Sequence, residues 1–512
     1  MKSNKIKTIF IIILKITMFI FLLGLQLFLI YVCFAIFNKY IVWLVGGFAI
    51  LTLIIIIYII NDNSNPMYKI AWLIPILVFP ILGSVLYLYT NNEIMIKGII
   101  NKQRKVLKGS VSYAVLDNDV MGELDRDNRY IGSLCTYIYK YGTCPTYKNT
   151  ECMYLEIGEV YFEEVKKELL KAKKFIFMEF FIIADNSMWC EILEILKDKV
   201  KQGVEVKVMT DGIGSLFTLP YGYEDVIRSY GIDIKIYAPL KPLLSGYHNY
   251  RDHRKIIVID NEVSFTGGIN IADEYINKKI KHGHWKDTGI KLTGEATFNF
   301  TLMFLQTWNL MSSKPTMYSK YLGSKREVKC NSFVTPYGDN PFDNENISEQ
   351  VYLDIINYSC DYLYITTPYL VIDYTITEAL KHASKRGVDV KIIVPHIPDK
   401  KFVYYLAVSY YKELTDAGVK IYEYTPGFIH AKMFVSDDIK AVVGTINLDY
   451  RSLYLHFECG VLLYKDKSIK SIRDDFIRTL DKSMEITKEK YKKIPLYKKI
   501  FGKIYRFIAP LS

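Results

Sequence analysis

The fold is decided by the stretch His253-Arg254-Lys255-Ile256-Ile257-Val258-Ile259-Asp260, which continues to Gly267-Gly268-Ile269-Asn270. It places an imidazole and a cation at the start of an alternating run that is typical of a β-strand. A second copy occurs downstream as His430-Ala431-Lys432-Met433-Phe434-Val435-Ser436-Asp437, followed by Gly444-Thr445-Ile446-Asn447. In both copies the asparagine follows the histidine by 17 positions. This shared spacing indicates an internal duplication.

The segments that surround the two motifs repeat one order of predicted elements. Around the first motif we predict helix, strand, helix and strand, at 159–174, 175–182, 189–202 and 203–209. Around the second we predict the same order, at 349–358, 362–366, 376–385 and 387–393. Alternation of strands and helices predicts an α/β fold built from two duplicated units, with one motif late in each.

Composition limits the possible partners. The excess of 65 Lys+Arg over 54 Asp+Glu gives a net charge of +11, which fits either anionic lipid headgroups or nucleic acid. The 8 cysteines are scattered without a C-x-x-C pair, so neither a zinc site nor a disulfide framework is expected.

Three apolar runs near the N-terminus, at 8–37, 41–60 and 70–89, each reach the roughly 20 residues that a membrane-spanning helix needs. We therefore predict two or three transmembrane helices and a multi-pass protein of the cell membrane. A cleavable signal peptide is disfavoured, because no small-residue cleavage pattern follows the first run. The lysine and arginine cluster at 97–108 favours catalytic units on the cytoplasmic side.

These patterns predict five regions. They are a transmembrane segment at 1–92, a connector without clear periodicity at 93–150, a first unit at 151–325, a second unit at 326–482 and a basic tail at 483–512. The tail alternates cationic with aromatic and aliphatic residues, which is typical of an amphipathic helix on an anionic membrane surface. A solvated terminal helix is the alternative.

Two histidines that face each other suit displacement at the phosphorus of a diester. One neutral imidazole, from His253 or His430, attacks and forms a phosphoryl-histidine, while the other donates a proton to the departing alcohol. An ordinary histidine pKa of about 6.5 lets both protonation states coexist near neutral pH. An incoming alcohol then attacks the intermediate with the two roles exchanged.

The remaining motif residues are assigned to the phosphate and to the strand ends. Lys255 and Lys432 would neutralise the non-bridging oxygens, and Asn270 and Asn447 would donate hydrogen bonds to them. Their motif neighbours Gly268 and Thr445 are placed in the same substrate site. Asp260 and Asp437 fall at strand ends, where we expect supporting roles. The arrangement requires no metal, and we expect no cofactor.

Each imidazole also needs a group that fixes its tautomer. Asp287 and Glu458 are the candidates, although their spacing from the histidines differs and requires an insertion at 277–284. Glu179 and Asp211 are secondary candidates with loop or capping roles as the alternative. We expect His248 in the site, leave His456 ambiguous, and expect the other histidines at the surface, namely His282, His284, His382 and His396.

Further stretches carry a resemblance to a known family. They are Asn65-Pro66 with Ala71-Trp72, Pro80-Ile81-Leu82-Gly83, Asn249-Tyr250-Arg251-Asp252-His253, Gly267-Gly268-Ile269-Asn270-Ile271-Ala272-Asp273-Glu274-Tyr275, Trp285-Lys286-Asp287, Thr367-Pro368-Tyr369 and Asn447-Leu448-Asp449-Tyr450-Arg451-Ser452. With the two H-x-K-x4-D motifs, the chain resembles the phospholipase D superfamily and, more narrowly, bacterial cardiolipin synthases. In that family an asparagine is expected where this chain has His456.

The resemblance implies two phospholipase D-like α/β/α units that share one active site. It implies a reaction in which two phosphatidylglycerol molecules give cardiolipin and glycerol through a phosphatidyl-histidine. A phospholipase D that uses water or another alcohol, a nuclease, and a catalytically silent anionic-lipid-binding protein are the alternatives. The membrane helices and basic tail disfavour nucleic acid, and the intact histidines and lysines disfavour a silent protein. The oligomeric state is left open.

Overall fold

The computed structural model describes residues 17, 20–21, 23–28, 31–32 and 41–511, with gaps at 91–92, 240–248, 323–327 and 344. Most of the first apolar run, 8–37, and His248 lie outside the described residues. The fold and the site below concern the described part of the chain.

The N-terminal helices differ from the predicted spans. They are α1 (Ile41–Asn61), α2 (Pro66–Val78) and α3 (Pro80–Thr90). The third apolar run is therefore two short helices, because Pro80 has no N–H to continue α2 and the chain turns at Phe79. Gly83 packs directly on the backbone of Pro75 and Ile76, which holds α2 and α3 together. Within the described ranges, none of the helices is both long and apolar enough to cross a membrane.

Residues 93–150 are more ordered than a connector without periodicity. They form α4 (Glu93–Val111), α5 (Asn118–Asp127) and α6 (Arg129–Gly142). The side chains of Asp117 and Asn128 cap α5 and α6 by accepting backbone N–H groups. Leu124, Leu134 and Ile138 are buried in the main core, so this region is part of the folded body.

The first unit follows the predicted order of elements with extra strands around the motif. Its elements are β1 (Thr150–Leu155), α7 (Gly158–Leu169), β2 (Phe175–Phe180), α8 (Ser187–Lys201), β3 (Glu205–Asp211), α9 (Tyr223–Ser229), β4 (Asp233–Tyr237), β5 (Lys255–Ile259), β6 (Val263–Gly267), β7 (His284–Lys286), β8 (Gly289–Gly294) and α10 (Thr297–Leu310).

The second unit repeats this order. Its elements are β9 (Phe333–Asp339), α11 (Ile347–Asn357), β10 (Tyr362–Thr366), β11 (Leu370–Val371), α12 (Tyr374–Lys385), β12 (Asp389–Pro395), α13 (Lys401–Asp416), β13 (Lys420–Tyr424), β14 (Gly427–Ile429), β15 (Met433–Ser436), β16 (Lys440–Gly444), β17 (Leu448–Asp449), α14 (Tyr450–Tyr454), β18 (Glu458–Tyr464), α15 (Ser468–Leu480) and β19 (Ser483–Glu485). The chain ends with α16 (Lys488–Lys493) and α17 (Leu496–Ile508).

The two large sheets have matching strand orders. The first is β1-β8-β6-β5-β2-β3-β4, and the second, read in the same direction, is β9-β18-β16-β15-β10-β12-β13-β19. In each, the strand that follows the motif histidine runs antiparallel to a central strand, β5 against β2 and β15 against β10. The predicted α/β fold and its duplication are confirmed.

Helix α10 joins the two units, because it is buried along almost its whole length. On the first unit, the ring of Phe304 stacks on Phe177 with centroids 4.6 Å apart. Toward the second, Asn299 donates a hydrogen bond of 2.6 Å to the carbonyl oxygen of Pro336. One continuous core therefore includes Val258 of β5 and Val435 of β15.

Candidate active site

Both motif histidines lie at the sheet edge where the central parallel strands end. Lys255, the first residue of β5, is opposite Phe180, the last residue of β2. Met433, the first residue of β15, is opposite Thr366, the last residue of β10. His253 and His430 closely precede β5 and β15, at the edge of an α/β sheet where ligands commonly bind.

The backbone before each histidine pairs with the other unit. In the second unit, β14 runs parallel to β7 of the first, and the N–H of His430 donates to the carbonyl oxygen of Lys286 at 2.7 Å. The symmetric contact joins the N–H of His253 to the carbonyl oxygen of Phe457 at 2.9 Å. The two acceptors, Lys286 and Phe457, are each followed directly by an acidic residue. These hydrogen bonds therefore bring each histidine beside a carboxylate of the opposite unit.

The result is a crossed pair of histidine–carboxylate contacts. Nδ1 of His253 lies 2.8 Å from Oε1 of Glu458, and Nδ1 of His430 lies 2.6 Å from Oδ2 of Asp287. Both carboxylates are completely buried. A carboxylate that accepts from Nδ1–H leaves Nε2 of a neutral imidazole free to act as base or nucleophile. Each motif histidine therefore pairs with a carboxylate of the other unit.

Gly268 and Thr445 support these carboxylates from equivalent positions. A Cβ at Gly268 would lie 2.1 Å from Oδ1 of Asp287, so only glycine leaves room there. The hydroxyl of Thr445 donates to the Glu458 carboxylate and accepts from the N–H of Cys459. The structure thus gives both residues contacts to the carboxylates, in addition to the substrate role that the sequence predicts.

The two motif lysines are buried beside the motif histidines. Nζ of Lys255 donates to the carbonyl oxygen of His253 at 2.5 Å, and Lys432 makes the equivalent contact with His430. Burial lowers the pKa of Lys255 to about 8 and that of Lys432 to about 7. Burial and the charge of Lys432 lower the pKa of His430 to about 4. Burial first, and then Lys255, Lys432 and His430, lower the pKa of His253 well below its usual value. Burial is the main cause of these shifts, and the smaller effect of the lysines on the two histidines shows that both cations lie close enough to the imidazoles to interact with an anion bound there.

The two asparagines are not equivalent. The amide of Asn270 is engaged on both sides, because it accepts from the N–H of Ile182 at 3.0 Å and donates to the hydroxyl of Tyr275 at 2.7 Å. The amide oxygen of Asn447 is buried and has no hydrogen-bond partner among the described residues. Asn447 is therefore the freer of the two to contact a ligand.

Asp260 and Asp437 lie at the far ends of β5 and β15 from the histidines. The carboxylate of Asp260 accepts N–H groups from Lys173, Lys174 and Phe175, at 2.7, 2.8 and 2.7 Å. Asp437 accepts equivalent hydrogen bonds from Cys360, Asp361 and Tyr362, at 3.0, 2.9 and 3.0 Å. Both aspartates therefore fix the turn that leads into a central strand, and they do not contact the histidines.

Replacing Asp260 with alanine is expected to lower the free energy of unfolding by about 3 kcal/mol or more, because three charge-assisted hydrogen bonds are lost. Chemical denaturation of the variant in detergent measures this loss. Asp225→Asn, a change at an exposed residue of α9, is the control that should leave stability unchanged. Unchanged stability in Asp260→Ala, together with lost activity, would instead assign Asp260 to the chemistry.

The secondary candidates Glu179 and Asp211 pair with arginines that flank His253. Asp211 accepts from Arg251 at 2.6 Å and caps the loop after β3 through the N–H groups of Ile213 and Gly214. Glu179 forms an ion pair of 2.7 Å with Arg254. Both arginines are buried. These pairs hold the backbone on either side of His253, and no sequence pattern indicated that the two arginines would pair with these carboxylates.

His456 and Trp285 occupy equivalent places, two residues before Glu458 and Asp287. The ring centroid of His456 lies 5.6 Å from that of His253, and that of Trp285 lies 5.6 Å from that of His430. Nδ1 of His456 is 3.8 Å from Oε1 of Glu458, too far for a hydrogen bond. Potential ligand atoms of His253, His456 and Glu458 lie within 4.8 Å of one another.

Replacing His456 with asparagine is expected to keep the rate of product formation within about tenfold of the unchanged chain. The reason is that His456 packs beside His253 without a hydrogen bond to its ring. Steady-state assays of His456→Asn beside His253→Asn provide the comparison. A loss above about 100-fold in His456→Asn would show that His456 takes part in proton transfer.

Comparisons with known proteins agree with this geometry. A family model described as "Cardiolipin synthase, PLD-like domain" matches residues 165–281 and 352–480, and one described as "Phospholipase_D-nuclease N-terminal" matches residues 50–89. A cardiolipin synthase of Halalkalibacterium halodurans is 33% identical over 92% of this chain and 94% of its own length. "Cardiolipin synthase 2" of Bacillus anthracis is 34% identical over 88% of each.

A solved structure supports the fold alone. The phosphatidylserine synthase of Haemophilus influenzae Rd KW20 aligns with a TM-score of 0.56 at 17% identity, covering 74% of this chain and 98% of that one. The family resemblance seen in the sequence is confirmed by matches that span both units and the N-terminal helices. The chain belongs to the cardiolipin synthase family of phospholipase D-like phosphatidyltransferases.

Proposed function

We propose that this chain is a cardiolipin synthase, which transfers a phosphatidyl group from one phosphatidylglycerol to a hydroxyl of a second and releases glycerol. The observation that carries the proposal is the crossed arrangement of His253 with Glu458 and His430 with Asp287. It supplies two oriented imidazoles in one buried site beside Lys255 and Lys432, which is what a two-step transfer at phosphorus requires.

In the first step, Nε2 of one neutral histidine attacks phosphorus while the other histidine protonates the departing glycerol oxygen. The buried carboxylate behind each ring holds the tautomer and stabilises the cationic form when it arises. The low pKa values of the unliganded histidines favour a neutral nucleophile. The phosphodiester brings a negative charge that raises the proton affinity of the second histidine.

In the second step, the histidine that acted as acid becomes the base. It takes the proton of the incoming hydroxyl, whose oxygen attacks the phosphatidyl-histidine and releases the first histidine. Lys255 and Lys432 stabilise the charge on the non-bridging oxygens in both steps. Asn447 has a buried amide oxygen without a partner among the described residues, so it is the better placed of the two asparagines to touch the substrate.

The same residues could pass the phosphatidyl group to water, which would make the chain a phospholipase D. Phosphatidylglycerol in vesicles, incubated with the purified chain, separates these reactions by product mass. Cardiolipin with an equal amount of glycerol supports the transferase. Phosphatidic acid as the sole product would establish the hydrolase, and the absence of both would favour a silent lipid-binding protein.

The value of kcat/KM is expected to fall as the pH rises above about 7. The pKa of Lys432 is lowered to about 7 by burial, so the unliganded site loses this charge and binds the phosphodiester less well at higher pH. Lys432→Arg keeps the charge and should move the decline toward the pKa of Lys255, about 8.

Initial rates between about pH 6 and pH 9, at substrate concentrations on both sides of KM, measure this profile. Lys440→Arg, a change at the opposite sheet edge beside Asp437, is the matched control and should leave the profile unchanged. An alkaline decline that is identical in the unchanged chain and in Lys432→Arg would assign the titration to another group.

We also propose that the chain works at the cell membrane with its catalytic units on the cytoplasmic side. The apolar run at 41–60 and the apolar helices α2 and α3 support membrane attachment, and the basic cluster at 97–108 supports this orientation.

Thiol accessibility in intact cells tests this orientation. The substitution Leu170→Cys places a thiol at an exposed position of the first unit, in a chain whose exposed Cys190 and Cys360 are replaced with serine. A membrane-impermeant reagent should label this thiol only after the cells are permeabilised, and the parent chain without Leu170→Cys gives the background. Equal labelling before and after permeabilisation would place the catalytic units outside the cell.

A further inference from the structure

The C-terminal helix α17 exposes its apolar side rather than burying it. Gly502 faces α13 so closely that a Cβ there would lie 2.0 Å from the carbonyl oxygen of Tyr405. The opposite side carries large hydrophobic residues that are each about half exposed or more, namely Leu496, Tyr497, Ile500, Phe501, Ile504, Phe507 and Ile508. A helix that turns its apolar stripe outward is expected to bury it against a partner.

Two basic residues of α17 point toward α13. Arg506 forms an ion pair of 3.4 Å with Glu413 and lies over the ring of Tyr410, 4.1 Å from its centroid. Lys498 lies over the ring of Tyr404 at 5.3 Å. These charges therefore help to attach α17 to α13, which leaves the apolar residues as the main outward-facing group.

The apolar side of α17 is continuous with that of the N-terminal helices. The short 3-10 helix Ala509–Leu511 follows α17 directly, and Leu511 packs against the cluster that contains Ile59, Trp72 and Ile76. Helices α1 to α3 are themselves rich in exposed apolar side chains, among them Ile54, Ile57, Leu77, Val78, Val85 and Leu88. Two ends of the chain thus contribute to one apolar surface.

We propose that the apolar side of α17, next to the helices α1 to α3 that support membrane attachment, is itself embedded among the acyl chains of the membrane. Lys503 is exposed at the border of the apolar side of α17, where it can reach lipid phosphates. The sequence predicts an amphipathic helix on an anionic membrane surface, and the structure adds α13 as the support that leaves the apolar side of α17 exposed. This inference rests on the proposed function only for the presence of a lipid bilayer beside the site.

Helix α13 connects this surface to the catalytic edge. It begins at Lys401, next to Lys400, whose charge contributes to the lowered pKa of His253. Between α13 and Phe428 lies a small open pocket, lined by the apolar residues Val403 and Ala407 and by Lys400. The ring of Phe428 is 5.7 Å from that of His430. A membrane held against α17 would therefore present its lipids close to the histidines.

Site-specific photo-crosslinking tests the proposal in the full chain, reconstituted in vesicles of phosphatidylglycerol and phosphatidylcholine. The photoreactive residue p-benzoylphenylalanine replaces Phe501 or, as the control, Leu170, which is 59% exposed at the sheet edge away from the histidines. We expect at least roughly tenfold more lipid adduct at 501 than at 170 by mass spectrometry. Adducts between two copies of the chain, or lipid adduct no greater than at 170, would overturn the proposal.

A charged substitution on the exposed side of α17 provides a second test. Ile504→Asp should lower the rate on substrate in vesicles about tenfold or more but change the rate in detergent micelles less than about twofold, with Leu170→Asp unaffected in both. An unchanged rate in vesicles would overturn the proposal. Lipid adducts at 501 in a chain that makes no cardiolipin would uphold this surface while refuting the proposed function, so the two can fail separately.

Discussion

Replacing His253 or His430 with alanine is expected to lower the rate of cardiolipin formation roughly 10³-fold or more. Each change removes either the nucleophile or the acid, and positioned acid–base catalysis alone contributes about 10²–10⁴-fold. Phosphatidylglycerol labelled in its phosphatidyl group, presented to each variant in vesicles, measures the loss as labelled cardiolipin. The two losses should be of similar size, because the two-step reaction uses both histidines in both steps.

Controls separate chemistry from folding in this experiment. His382→Ala changes an exposed histidine of α12 and should retain full activity. Thermal melting of the two catalytic variants is needed to show that they remain folded, because both imidazoles are buried and pair with buried carboxylates. Cardiolipin formation within about tenfold of the unchanged rate in either variant would contradict the histidine mechanism.

Changing the crossed carboxylates is expected to produce the second largest loss. Glu458→Gln and Asp287→Asn should each lower the rate roughly 10²–10⁴-fold, because an amide can hold the wrong tautomer of its histidine and cannot stabilise the imidazolium. Each residue is completely buried, at 2.8 Å and 2.6 Å from its histidine, so water cannot replace it.

The crossing itself has a specific signature. In protein labelled with ¹⁵N-histidine, Glu458→Gln should change the ring nitrogen signals of His253, whereas Asp287→Asn should change those of His430. Signals are assigned through the His253→Asn and His430→Asn variants, and His382 serves as the unaffected reference. If each carboxylate affected only the histidine of its own unit, the crossed arrangement would be wrong.

Much of the fold followed from the sequence, because strong local patterns set it. The strand predicted at 362–366 is β10 (Tyr362–Thr366), and the predicted helices of both units match α7, α8, α11 and α12 to within a few residues. The repeated motif with its 17-residue interval predicted matching central strands, and the two sheets have that matching order. Local periodicity and duplication carried this information.

The crossing of the histidine–carboxylate pairs could not be read from the sequence. Alignment of the repeats identifies Asp287 and Glu458 as equivalent. It does not show whether each carboxylate contacts the motif histidine of its own unit or that of the other unit. The crossed arrangement depends on two contacts between the units. They are the pairing of β14 with β7 and the backbone hydrogen bond from His253 to Phe457. Such long-range pairing depends on how the two sheets pack against each other.

The N-terminal region is a second part of the structure that sequence patterns did not predict correctly. The run at 70–89 is apolar enough to predict a single span, yet Pro80 divides it into α2 and α3. Residues 93–150 show no clear periodicity, yet α5 and α6 form because Asp117 and Asn128 cap them and their apolar residues meet a core made elsewhere in the chain. A local proline thus decided the first case, and tertiary contacts decided the second.

The most direct test of the central claim is to trap the phosphatidyl-histidine. The purified chain is mixed briefly with phosphatidylglycerol labelled in the phosphatidyl group and is then denatured at alkaline pH, because phosphoramidate bonds are labile in acid. Peptide mass spectrometry should find the label on a single peptide, containing either His253 or His430, and the label should vanish in the matching alanine variant. Steady formation of cardiolipin without label on either histidine would contradict the account.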